Sequence, residues 1–184
     1  MGNYGTDKIE EAAALLKWNP NAYILRPPYL YGQMHNVYRE AFVFECALAD
    51  RKFYLPKDGE MKLQFFHFHD LCRFIDILLK QKPAQHIFNV GNKDTISIRE
   101  WVALCYHVVE KQAAYEYVYG DIEQRNYFCI YDYEYYLDVS EQYKLMHDVK
   151  PISVGLREAL DWYKGNIEKV NKKPYLDYID KNIR

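Results

Sequence analysis

The sequence predicts an α/β fold. Short apolar runs of strand length alternate with amphipathic helical stretches from one end of the chain to the other, the pattern that builds layered sheet-and-helix domains. The length of 184 residues fits one ordinary domain or slightly more, enough to bury about two-thirds of the surface of the unfolded chain. With 49% hydrophobic and 27% charged residues the composition is globular, which excludes a disordered, collagen-like or disulfide-framework chain.

Taken in order, residues 6–18 read as a helix. Ile9, Ala12, Ala13 and Leu16 recur at helical spacing, and Asp7, Glu10 and Glu11 sit in the first turns, where the helix dipole favours anions. Asn19-Pro20-Asn21 ends it. The apolar run 22–25 predicts a buried strand, stopped by Pro27-Pro28 because proline cannot donate to a ladder. Residues 29–32 then read as a loop leaving that strand. Residues 36–49 predict a helix with Val37, Ala41, Phe44 and Leu48 on one side. Residues 53–56 and 62–66, joined by Lys57-Asp58-Gly59-Glu60, predict a hairpin. Leu71, Phe74, Ile75, Leu78 and Leu79 make 70–81 an apolar helix, with Asp70 as a candidate cap and Lys82-Pro83 as its end. Residues 86–90 predict a strand stopping at Gly91, and Ser97-x-x-Glu100 fits a capping box opening a helix through 109. The period-two run 115–119 predicts a strand, and 139–146 and 153–166 two further helices.

The formal charge of −2 excludes a strongly basic nucleic-acid footprint overall. The tail 164–184, with six Lys/Arg against three Asp/Glu, reads as a solvated face. There is no apolar run of membrane-spanning length, and the first eight residues lack a signal peptide's apolar core, so a cytoplasmic protein is expected. Cys46, Cys72, Cys105 and Cys129 form no Cys-x-x-Cys pair and are expected to be reduced and mostly buried. Tyrosine, at 19 copies, is the commonest residue. Many of these rings are expected to line a cleft or cover a subunit contact. Tyr131, Tyr133 and Tyr135 alternate like one face of a strand. His67 and His69 share a face if their segment is extended and offer two imidazoles to a zinc ion. No third ligand is evident nearby, so no metal is expected.

Several segments, in this order, resemble the carboxyl-terminal half of the NAD-dependent epimerase/dehydratase family, the extended short-chain dehydrogenase/reductases. Tyr4-Gly-Thr-Asp-Lys8 at a helix start is similar to that family's Tyr-x-x-x-Lys. Ile24-Leu-Arg-Pro-Pro-Tyr-Leu-Tyr-Gly32 resembles its strand and Arg-Pro…Tyr-Gly loop, and Phe65-Phe-His-Phe-His-Asp-Leu71 its Phe-Ile-His-Val-Asp-Asp-Leu segment. Phe88-Asn-Val-Gly91 resembles its Tyr-Asn-Val-Gly strand; Asp138-Val-Ser-Glu141 and Gly155-Leu-Arg-Glu-Ala-Leu-Asp-Trp-Tyr163 resemble its closing helices. The likeness covers nearly the whole chain. Missing from the sequence is any Gly-x-x-Gly-x-x-Gly between a strand and a helix, the turn that binds the dinucleotide pyrophosphate. The family's catalytic Ser/Thr lies upstream of its Tyr and is also absent.

The resemblance implies the carboxyl-terminal part of a Rossmann-type enzyme, with residues 1–35 a remnant of the nucleotide-binding domain and 36–184 a substrate-binding domain some of whose elements return to the nucleotide-binding sheet. It implies that Tyr4 takes a sugar hydroxyl proton while hydride passes to NAD or NADP. A free phenol titrates near about 10 and needs a nearby ammonium such as Lys8 to ionise more readily. Lys8 would also hold the nicotinamide ribose. Pro27 would border the nicotinamide and Tyr31 the substrate; Asn36 would contact substrate phosphate or cap a helix. His67 would be structural or substrate-facing, and Arg125 would meet the diphosphate of a nucleotide-sugar or stand as an exposed charge. The isolated chain is expected to bind neither NAD nor NADP and to require an amino-terminal half or self-association, because strand 22–25 and helix 6–18 would otherwise leave apolar surface and a sheet edge in water. The alternative reading is an atypical family-like RNA-binding or structural module. The acidic overall charge argues against RNA.

Overall fold

The computed structural model describes residues 4–183. Helix α1 (Tyr4–Trp18) precedes strands β1 (Ile24–Arg26) and β2 (Tyr29–Tyr31), then α2 (Glu40–Leu48), β3 (Phe53–Pro56), β4 (Lys62–Leu63) and β5 (Phe65–His67). After these come α3 (Phe68–Gln81), β6 (Ile87–Asn89), β7 (Ile96–Ser97), α4 (Ile98–Val108) and β8 (Tyr115–Val118). The chain closes with α5 (Ser140–Leu145), α6 (Ile152–Lys164) and α7 (Tyr175–Asn182).

The strands pair two by two. β1 runs parallel to β6 with Leu25 opposite Phe88; β2 parallel to β5 with Tyr31 opposite His67; β3 parallel to β8 with Leu55 opposite Tyr117. β4 and β7 are antiparallel. Parallel pairs require crossovers, and here α3 lies between β5 and β6 and α4 between β7 and β8. This is the predicted α/β class.

Two apolar clusters hold the fold. The larger joins α2, α4 and α6 to β3 and β8 through Phe42, Phe44, Phe53, Trp101, Phe128 and Leu156. The smaller lies under α3, where Phe66, Phe74, Leu78, Phe88, Val90 and Met146 meet. Helix α1 belongs to neither cluster, and Ile9, Leu15 and Trp18 on it are exposed. Among the described residues no helix is long and apolar enough to cross a membrane.

Four sequence readings are corrected. Residues 29–31 form strand β2, because Tyr-Leu-Tyr suits a pleated surface and the prolines before it cost only donors at the strand's start. The predicted hairpin does not form: Pro56 ends β3, Gly59 at φ +73° turns the chain, and the arms leave for different partners, β8 and β7. Helix α2 starts at Glu40, not residue 36, because Asn36 accepts a backbone hydrogen bond from Asn171 and Val37 bridges the same residue. Finally, α3 is capped by His67, whose Nδ1 accepts from the His69 N–H at 3.3 Å. Asp70 lies inside the first turn, where it accepts from the Lys150 N–H at 2.7 Å and from Arg73 at 2.9 Å. All four cysteines are free; Cys46, Cys105 and Cys129 are buried and Cys72 is exposed.

Candidate functional site

β2 and β5 bring the first group of predicted residues together. Tyr31 and His67 are register partners, with rings 5.2 Å apart and edge to face. Both are buried, and neither Tyr31 Oη nor His67 Nε2 has a hydrogen-bond partner among the described residues. Gly32 and Gly155 allow the approach. Gly32 sits at φ +130°, and a Cβ there would meet His67 Nε2 at 2.7 Å; one at Gly155 would meet Tyr31 Oη at 2.5 Å. Burial, then the charges of Asp70, Glu40 and Glu158, push the Tyr31 phenol far above its usual range. Tyr31 is therefore a neutral donor at physiological pH and no base. Burial, with the Lys150 charge next, pushes His67 down to about 4, so its ring is neutral at pH 7.

Glu158, from α6, reaches this pair: its Oε2 lies 3.5 Å from His67 Nε2. The Lys150 ammonium sits 2.7 and 2.6 Å from the two Glu158 oxygens. His69, exposed in the first turn of α3, completes a cluster in which His67, His69 and Glu158 place ligand-type atoms within 4.8 Å of one another. The sequence points to the two histidines, but the extended segment that would put them on one strand face does not form: His67 ends β5 and His69 lies in the first turn of α3. Glu158 and Lys150 arrive from distant segments, and no local signal announces them.

Arg125 is elsewhere. It lies in a single 3-10 turn, donates to the Phe128 and Cys129 carbonyls, and stands 4.5 Å over the Tyr131 ring. From there rings follow in a ladder: Tyr131 to Tyr133 at 5.7 Å, Tyr133 to Tyr135 at 5.8 Å, and Tyr135 to Tyr29 at 5.7 Å. Arg39 stands 5.1 Å over Tyr29. The alternating tyrosines are not in a strand. Side chains pin this segment instead: Asp132 to the Lys57 ammonium, Glu134 to the Lys62 N–H, and Leu137 to Gln64 in both directions. The tyrosine surplus thus divides between core rings, such as Tyr38 stacked on Tyr175, and this half-exposed ladder.

The remaining predicted residues do not converge. Asn36 is exposed on the loop before α2, and Pro27 is half-buried between β1 and β2. Tyr4 opens α1, but its side chain lies outside the described part of the chain; Lys8, one turn on, pairs with Glu11 at 2.7 Å.

No protein-family model matches the chain, and no curated protein sequence matches it. Solved structures do. A dTDP-glucose 4,6-dehydratase from Bacillus anthracis, in complex with NAD, superposes with a TM-score of 0.67 at 22% identity, over 90% of this chain and 51% of that one. A UDP-glucuronic acid 4-epimerase from Bacillus cereus, also with NAD, gives 0.64 at 19% identity over 85% and 49%. A UDP-glucose 4-epimerase from Thermotoga maritima, with UDP-glucose, gives 0.64 at 17% over 88% and 52%. The fold resembles part of these dehydratase and epimerase structures. The chain spans about half the length of these structures.

Proposed function

We propose that this chain is the substrate-binding portion of an NAD(P)-dependent sugar-nucleotide epimerase, dehydratase or reductase. On this reading residues 1–35 are the remnant of the nucleotide-binding domain, and 36–184 form the substrate-binding domain, with some elements, such as β6 beside β1, returning to the nucleotide-binding sheet. The observation that carries it is the superposition of 85–90% of the chain on half of three such enzymes, together with the ordered motifs from Tyr4 to Tyr163. Tyr4 would act as the base, with Lys8 lowering its pKa and holding the nicotinamide ribose. Pro27 would border that ring; Tyr31 and His67 would shape the floor of the sugar site; Asn36 and Arg125 would face the phosphates. NAD or NADP would supply the hydride acceptor when bound. The sequence holds no glycine-rich pyrophosphate turn, so this chain alone is inactive, and turnover requires a second segment that provides one.

The test is a pair of titrations of the purified chain. Calorimetry with UDP-glucose or dTDP-glucose should show saturable binding, whereas NADH, followed by its fluorescence, should show none up to millimolar concentration. Failure of both nucleotide-sugars to bind at millimolar concentration would remove the proposal. The exposed tyrosine ladder supports a second reading, a module that stacks single-stranded RNA bases on its rings. Tight RNA binding with steep salt dependence would favour it.

A further inference from the structure

We propose that His67, His69 and Glu158 form a binding site for a divalent transition-metal ion of the zinc type, an assignment that shares His67 with the sugar site proposed above but does not depend on that reading. Two imidazoles and one carboxylate are the donor set of a borderline cation; magnesium and calcium prefer all-oxygen sites. The distances already approach what such an ion needs. With Zn–N and Zn–O near about 2.1 Å and tetrahedral angles, neighbouring donor atoms lie roughly 3.4 Å apart. His67 Nε2 and Glu158 Oε2 are 3.5 Å apart. An ion bound by two histidines sits about 3.2 Å from each ring centre, which separates the centres by roughly 5.2 Å. The His67 and His69 ring centres are 5.4 Å apart. His69 has only to swing its exposed ring toward the other two.

A second observation points to a ligand here. His67 is fully buried, and its Nε2 lacks a hydrogen-bond partner, an expensive state for a polar atom. An open cavity of about 530 Å³ lies against His69 and Lys150, with Asp70, Arg73 and Asp148 also lining it, so the exposed ligand and the competing ammonium both face solvent-accessible space.

Two features oppose binding and set its strength. Lys150 occupies the cation position against Glu158, so a metal must displace it. The cap bond from the His69 N–H to His67 Nδ1 leaves the ring proton on Nε2. Coordination at Nε2 moves that proton through solvent to Nδ1 and gives up this long bond. Asp70 cannot join as a ligand without leaving Arg73 and the Lys150 N–H. The site is therefore one in which Lys150 and a metal ion compete for the same carboxylate.

The experiment uses the full, untagged, metal-stripped chain, titrated with Zn²⁺ by calorimetry and with Co²⁺ by visible absorption. One equivalent of either ion should bind, with the intense cobalt bands of a four-coordinate site. His69→Ala and Glu158→Gln alter partly exposed residues and should keep the far-UV spectrum while weakening binding at least about tenfold. Lys150→Met removes the competitor and should tighten it by about as much. The proposal fails if neither the wild type nor Lys150→Met binds zinc at about 100 μM with the fold intact, a concentration that corresponds to weak binding. It fails equally if binding survives unchanged in both His69→Ala and Glu158→Gln.

Discussion

A methyl group added at Gly155 meets Tyr31 Oη at 2.5 Å and His67 Cδ2 at 2.8 Å. Neither neighbour is free to retreat, since both rings are buried register partners on β2 and β5. Gly155→Ala should therefore destabilise the chain by about 1–3 kcal/mol, the usual cost of overpacking, read as a lower urea midpoint. Glu40 is the second sensitive residue. It is buried beside Arg39, 3.4 Å away, and accepts from His35 at 3.1 Å. Burial alone would raise its pKa, but the His35 hydrogen bond and the Arg39 charge outweigh burial and hold the carboxyl below its ordinary value. Glu40→Ala leaves Arg39 buried without its carboxylate and should cost about 3 kcal/mol or more. The sign of the pH dependence follows from the lowered pKa. The carboxylate's contribution is complete above its unfolded value of about 4.3 and is lost as pH falls through the lower folded value. Unfolding midpoints of the wild type and the variant should accordingly be well separated at pH 6 and converge toward pH 3. At this scale the sequence makes part of the site legible. His67 and His69 stand out as a near pair in sequence, although not on the shared strand face that pairing suggests, and Tyr31 by resemblance. The Glu158 and Lys150 partners, and Arg39 over Tyr29, exist only because separate elements pack together.

Elements whose determinants are local follow the sequence closely. The capping box is an example. Ser97 Oγ accepts from the Glu100 N–H at 3.1 Å while the Glu100 carboxylate accepts from the Ser97 N–H at 2.6 Å. Ser97→Ala should cost about 1 kcal/mol and lower the thermal midpoint by a few degrees. The apolar face of α3 and the strand at 87–89 are read correctly for the same reason: periodicity and terminators lie within a few residues. Pairing is another matter. Residues 53–56 and 62–63 look like hairpin arms because a turn sequence joins them, yet each finds a partner some 30 to 60 positions away. Nothing within the hairpin encodes that choice. The strap 131–137 is positioned in a similar way by side chains rather than by a ladder. One buried glutamine fixes its end, and a second ties α5 to the turn after β6. Gln64 bonds Leu137 in both directions, and Gln142 accepts from the Gly91 N–H at 2.6 Å and donates to the Gly91 carbonyl. Gln142→Ala strands two buried backbone groups and should cost about 2 kcal/mol. Isosteric Gln142→Glu should not rescue it, because the carboxylate keeps the acceptor but loses the donor. Chemical denaturation of the two variants side by side tests this.

Across the whole molecule the apolar contacts are unevenly spread, and stability should be uneven with them. The larger cluster draws on three helices and two strands and includes the fully buried Trp101. The smaller has six buried residues around α3, β5 and β6. Helix α1 has almost every side chain in water; Trp18 at its end is 83% exposed. A 15-residue helix with so little packing is only marginally stable by itself, and the other edge of β1 has no strand partner among the described residues. Native-state hydrogen exchange should therefore resolve three tiers. Amides of α1 should exchange at least about a hundredfold faster than those of α4, with α3 and β6 between them, because local opening energies range from near zero to the global value. Acrylamide should quench Trp18 readily and leave Trp101 nearly untouched. If the chain is the substrate-binding part of a larger enzyme, a complementary dinucleotide-binding segment laid on α1 and β1 would change that order. It would raise α1 protection toward that of α4 while leaving α4 itself unchanged, since the larger cluster is already complete. Equal exchange rates in α1 and α4 of the isolated chain would mean that α1 is packed by something else, such as a second copy. A concentration dependence of its protection would then identify self-association as the means by which this surface is covered.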